Sequence, residues 1–128
     1  MTEPAKILAV DDEPDFELLI KQRFRQRIRA GNLVFRFARH GEEALSVLAE
    51  EPYIGLLLLD INMPVMDGLL LLRKVKEQRA DLPVIMVTAY GDDERRRKAA
   101  EFGATEFVTK PVDFNLLKQQ LQQLPTPS

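Results

Sequence analysis

The sequence contains no cysteine, which excludes disulfides, thiol catalysis and Cys-based zinc sites. No apolar run approaches membrane-spanning length, and Met1-Thr2-Glu3-Pro4-Ala5-Lys6 lacks the basic-then-apolar pattern of a secretion signal. A cytoplasmic location without membrane contact is the resulting expectation. Neither sign of charge dominates: 18 Lys and Arg face 20 Asp and Glu, a net charge of −2, so nothing in the balance points to nucleic acid as a direct partner. Repeats and low-complexity tracts are missing as well. What remains is 128 residues, 45% hydrophobic and 30% charged, the size and balance of one globular domain with a single core.

Short apolar runs alternate with helical periodicity along the chain. Ile7 to Val10 reads as a strand that stops at Asp11-Asp12-Glu13. Pro14 then suits the first turn of a helix carrying Phe16, Leu19, Ile20, Phe24 and Ile28 at helical spacing and ending at Gly31. Strands are expected at Val34–Ala38, Leu56–Asp60, Pro83–Thr88 and Glu106–Thr109. Helices are expected at about 41–50, 67–79 and 92–103, and one capped by Asp113 with Phe114, Leu117, Leu121 and Leu124 on its apolar face. Five strands alternating with five helices predict an α/β fold: a doubly wound, five-stranded parallel sheet with helices on both faces, in the flavodoxin-like order 2-1-3-4-5.

That order gathers chemistry at one edge. Strands one, three, four and five end in Asp11-Asp12, Asp60, Thr88 and Lys110, and open parallel sheets place ligand sites beyond the carboxyl ends of their strands. Leu56-Leu57-Leu58-Leu59-Asp60 stands out, because a buried strand delivers a carboxylate where a neutral residue would be cheaper. Three crowded carboxylates need a counter-charge, and hard oxygen ligands suit Mg²⁺. A metal, a carboxylate nucleophile, a hydroxyl and an ammonium together suggest phosphoryl transfer onto Asp60.

Four segments in register then carry a family resemblance: Val10-Asp11-Asp12-Glu13, Leu59-Asp60-Ile61-Asn62-Met63-Pro64-Val65-Met66-Asp67-Gly68, Val87-Thr88-Ala89-Tyr90 and Phe107-Val108-Thr109-Lys110-Pro111. The sequence resembles the receiver domain of two-component response regulators, the CheY-like superfamily, from residue 7 to about residue 124. The resemblance implies that Asp60 is the phospho-acceptor and that Asp12 binds Mg²⁺ directly. Asp11 would bind it through water, with the Asn62 backbone carbonyl as a further ligand. It also implies that Thr88 and Lys110 sense the phosphoryl group, that Phe107 is a switch aromatic, that Ala89 keeps the pocket entrance small, and that the Lys110–Pro111 bond is cis. Tyr90 and Asn62 flank the site at positions that tune dephosphorylation in this family. The implied donor is a sensor histidine kinase or phosphotransfer protein. The response would pass to the face of the fourth helix, fifth strand and fifth helix, where an output domain, a target protein or a second copy could read it. Residues 1–124 form the expected domain, and 125–128 a tail or the start of a linker.

Two other functions fit less well. A Mg²⁺-dependent phosphatase turning over on Asp60 would want an acid two residues later, where Asn62 stands. A flavin-binding module would want a phosphate loop where Asp11-Asp12-Glu13 would repel it. The resemblance implies instead a non-enzymatic phospho-acceptor with slow self-dephosphorylation. Outside the site, His40 reads as an inert surface residue and Arg95-Arg96-Arg97-Lys98 as a solvated helix face. The fourth helix has few apolar anchors and should be the loosest element. Leu70 stands where the family usually carries a polar residue.

Overall fold

A computed structural model of the chain describes residues 5–61, 67–89 and 91–123. The described elements run β1 (Ala5–Val10), α1 (Pro14–Arg23), α2 (Arg25–Arg29), β2 (Leu33–Ala38), α3 (Gly41–Glu50), β3 (Leu56–Asp60), α4 (Gly68–Gln78), β4 (Val84–Thr88), α5 (Asp93–Glu101), β5 (Glu106–Thr109) and α6 (Phe114–Gln123). All strand pairs are parallel, in the order β2-β1-β3-β4-β5. The expected topology is therefore the observed one. The fourth and fifth helices of the sequence reading are α5 and α6.

Strand alternation divides the core in two. Leu8, Val10, Leu57, Leu59, Val84 and Met86 point to one side, where Ala44 and Leu48 of α3, Leu71, Leu72 and Val75 of α4 and Ala99 of α5 cover them. Ile7, Ala9, Leu56, Leu58, Ile85 and Val87 point to the other, beneath Phe16 and Ile20 of α1 and Leu117 and Leu121 of α6. Both faces of the central strands are therefore dry, which explains why they read as unbroken apolar runs. Leu124, expected on the last apolar face, lies outside the described residues.

The expected single first helix is two. The backbone of Phe24 turns to φ −108°, ψ 15° between α1 and α2, while its N–H still donates to the Ile20 carbonyl at 3.0 Å. The Phe24 ring is buried and packs on Phe35 with centroids 5.4 Å apart. By contrast, Arg25–Arg29 buries no residue, so the core holds Phe24 and leaves the cationic turn beyond it free to bend. Leu19, expected on the buried face, is 40% exposed.

His40 is at the surface but is not inert. It occupies the N-cap of α3, where its Nδ1 accepts a hydrogen bond from the Glu43 N–H at 3.2 Å. Sequence reasoning missed this because capping is usually done by Ser, Thr, Asp or Asn. His40→Ala should lower the unfolding free energy by about 1 kcal/mol, and His40→Asn should restore most of it. Urea unfolding of the three proteins tests this, and equal midpoints would show that the cap contributes nothing.

Candidate functional site

The sheet edge assembles the site by continuing its ladders one residue past the strands. The Asp11 N–H donates to the Ala38 carbonyl at 3.0 Å, one step beyond the Val10–Ala38 pair. On the other side, the Lys110 N–H donates to the Thr88 carbonyl at 2.8 Å. Alternation then places the Asp11, Asp60 and Lys110 side chains in line with Ala9, Leu58 and Val108, on the α1/α6 side. Thr88 and Phe107 fall on the opposite side, which α3, α4 and α5 cover.

Asp60 is 1% exposed and meets the Lys110 ammonium, whose Nζ donates to Oδ2 at 2.9 Å. One carboxylate oxygen from each of Asp11, Asp12 and Asp60 lies within 4.8 Å of the others. Burial pushes the Asp11 carboxyl up from 3.8 to about 6; the Glu13 N–H opposes this, and the Asp60 charge adds to it. Burial alone would lower the Lys110 ammonium. Its hydrogen bond to Asp60 and the charges of Asp60, Asp11 and Glu13 outweigh that and hold it above its ordinary value. Among the described residues, one ammonium faces three carboxylates, and a hard divalent cation with oxygen ligands fits that donor set. Asp12 is exposed and Asp11 buried, so the triad opens toward solvent at Asp12.

Thr88 is buried at 1%, and Phe107 is half-buried against the α3–α5 side of the core. The Arg96 guanidinium sits 5.0 Å from the Phe107 ring centroid, and Gln120 Nε2 donates to the Phe107 carbonyl at 3.2 Å. The Lys110–Pro111 bond is cis, as the resemblance implies. Asn62 and Tyr90 lie outside the described residues, so the expected carbonyl ligand and the expected tuning positions have no structural account.

Two residues at the site were not singled out from the sequence. Gly68, the first residue of α4, lies so close to β3 that a Cβ there would fall 2.5 Å from the Asp60 carbonyl oxygen and 2.6 Å from Ile61 Cα. Arg95 corrects the reading of its helix as merely solvated. Its Nη2 lies 3.0 Å from the Ile61 carbonyl oxygen and 2.8 Å from Asp67 Oδ1, which also caps α4 by accepting from the Leu69 N–H at 2.7 Å. The Asp-Gly ending of the motif signals the tight approach. No sequence pattern signals Arg95, because its partners are a backbone oxygen and a residue on another element. Leu70 is 45% exposed and isolated between the packed Leu69 and the buried Leu71.

The raised Asp11 carboxyl has a stability consequence with a definite sign. Between pH 4 and about 6 the folded state without metal holds a proton that the unfolded chain has released, so stability falls as pH rises through that window. A shift of this size corresponds to roughly 3 kcal/mol, which solvent at the pocket mouth reduces to about 1 kcal/mol. Asp11→Asn should therefore stabilise the chain at pH 7 in chelator by about 1 kcal/mol, and the gain should vanish below pH 4. Urea midpoints at the two pH values check it; a destabilised variant at pH 7 would refute it.

Comparison with known proteins agrees with this geometry. Residues 7–122 match the family model of the response regulator receiver domain. The chain is 38% identical over 116 residues to the response regulator protein PilR of Pseudomonas aeruginosa, covering 89% of this chain and 24% of that protein. It is 33% identical over 121 residues to a chemotaxis protein CheY homologue of Campylobacter jejuni, covering 93% of this chain and 91% of that one. The chain thus spans about a quarter of PilR and nearly all of the CheY homologue. Among solved structures, a response regulator receiver protein from Pseudomonas putida superposes with TM-score 0.87 at 26% identity, covering 97% of this chain and all of the other. The receiver domain of NtrX from Brucella abortus superposes with TM-score 0.80 at 30% identity, covering 91% of this chain and 95% of that one. On the sheet order, the acidic edge and the match across residues 7–122, the chain belongs to the receiver domains of two-component response regulators.

Proposed function

We propose that the chain is a phospho-accepting switch in which Asp60 takes a phosphoryl group from a histidine kinase or phosphotransfer protein. The observation that most supports this is a buried carboxylate held by one ammonium beside two further carboxylates. A carboxylate oxygen of Asp60 forms the new O–P bond as the donor's P–N bond breaks and its imidazole leaves. Asp11, Asp12 and Asp60, with the Asn62 backbone carbonyl, would hold Mg²⁺. When bound, Mg²⁺ supplies positive charge against the phosphoryl oxygens. Lys110 binds a phosphoryl oxygen in place of Asp60 Oδ2, and the Thr88 hydroxyl donates to another.

Thr88 and Phe107 share a side of the sheet, so a shift of Thr88 toward Asp60 opens space toward which Phe107 turns. That turn breaks the contact between Arg96 and the Phe107 ring and changes the α5–β5–α6 face. A target protein, an output domain or a second copy would read that face. Residues 1–124 form the receiver unit, and 125–128 a tail or the beginning of a linker. Turnover as a phosphatase is not favoured, since Asn62 offers no acid/base group two residues after Asp60.

Incubation with Mg²⁺ and acetyl phosphate should add one phosphoryl group by intact mass, and Asp60→Ala should add none. An adduct that persists in Asp60→Ala, or sustained hydrolysis of varied phosphomonoesters, would overturn this reading. Among the described residues, Arg95 ties α5 to Ile61 and Asp67, the latter contact charge-assisted at each end. Arg95→Ala should speed amide hydrogen exchange in α5 by roughly tenfold, about 1.4 kcal/mol. Unchanged exchange in α5 would show that Arg95 does not anchor it.

A further inference from the structure

A second charged feature lies away from the acidic edge. Seven of the 18 Lys and Arg residues fall within residues 18–41, a stretch without a single carboxylate. Glu17 pairs with Lys21 and Glu51 with Arg36. Among the described residues, Arg23, Arg25 and Arg27 have no carboxylate partner. The break at Phe24 gathers these three around a cleft of about 420 Å³, which Lys118 of α6 closes from the other side and Gln22 and Gln26 line with amides. Among the described residues, no carboxylate lines it. α1 starts at the acidic edge and runs back along the sheet, so its last turn carries the cleft toward the opposite end.

One atom separates this cleft from an ordinary solvated basic patch. Arg27 Nη1 is buried and has no hydrogen-bond partner. A buried guanidinium nitrogen without an acceptor is unfavourable, and turning the half-buried Arg27 side chain outward onto a ligand oxygen in the cleft would satisfy it. Guanidinium forks match phosphate oxygens in pairs, and the cleft's volume lies in the range of small-molecule sites. The ring faces nearby are taken: Arg23 lies over Phe114 and Lys118 over Phe24, at 5.5 and 5.7 Å from the centroids. Recognition would therefore address the charge of a ligand rather than an aromatic base. A net charge of −2 on the whole chain disfavours a long polyanion, which would meet repulsion beyond the cleft. We propose that the cleft at the α1–α2 break binds a small anion bearing two or more phosphates, independently of Asp60.

Calorimetric titration of the full chain with inorganic pyrophosphate, in chelator and at low salt, tests this. The expected result is saturable one-to-one binding that Arg27→Gln weakens by about tenfold or more. Arg25→Gln, at an exposed position, should weaken it as well and guards against a folding defect in the first variant. Both variants should still take phosphate from acetyl phosphate at the parental rate. In amide spectra, pyrophosphate should shift residues 22–27 and leave residues 58–61 in place. Non-saturable heat, or affinity unchanged in both variants, would overturn the site. Tighter binding of a short DNA duplex that depends on Arg27 would overturn the choice of a small ligand.

Discussion

The contact between Lys110 Nζ and Asp60 Oδ2 holds together charges that the sheet would otherwise force apart. Parallel strands all point the same way, so the order β2-β1-β3-β4-β5 delivers Asp11 and Asp60 to one edge regardless of their repulsion. Most folds avoid such crowding; this one offsets it with the Lys110 ammonium just past β5 and leaves Asp11 holding its proton more tightly than a free carboxyl does. The site is thus under electrostatic load before anything binds. A divalent cation or a redistributed ammonium relieves that load, and either change is felt by β1, β3 and β5 together.

Most of this architecture was legible in the sequence because its signals are local. Runs such as Leu56–Leu59, short and bounded by turn residues, read as strands buried on both faces, and the residue that ends each run marks the sheet edge. Lys110 and Asp60, 50 residues apart, could be brought to one sheet edge from strand order, though their direct contact could not. Features that depend on three-dimensional neighbours were not legible. Arg95 meets a backbone oxygen, which no residue type advertises. His40 caps a helix with a ring nitrogen. The break at Phe24 follows from the depth at which one ring seats against Phe35, a matter of packing to which periodicity is blind.

Helices on the same side of the sheet differ in how firmly they are held. α4 buries Leu71, Leu72 and Val75, whereas α5 buries only Ala99. What α5 lacks in apolar area it partly recovers through polar ties: Arg95 to Ile61 and Asp67, and Arg96 over the Phe107 ring. Such ties are short-ranged and exchange readily with water, so they release over small displacements where a packed leucine would not. A helix anchored in this way can be strongly placed and still be inexpensive to move. That combination suits a surface whose position carries information.

Gly68 gives that mobility a direction. With only a hydrogen between its α-carbon and the Asp60 carbonyl, the start of α4 already rests against the end of β3. It acts as a backstop, since no inward travel is left on that side. A displacement that begins at the acidic edge meets less resistance toward β4 and β5, where they meet the thinly packed α5. The domain is therefore mechanically one-sided, rigid behind its carboxylate and compliant in front of it.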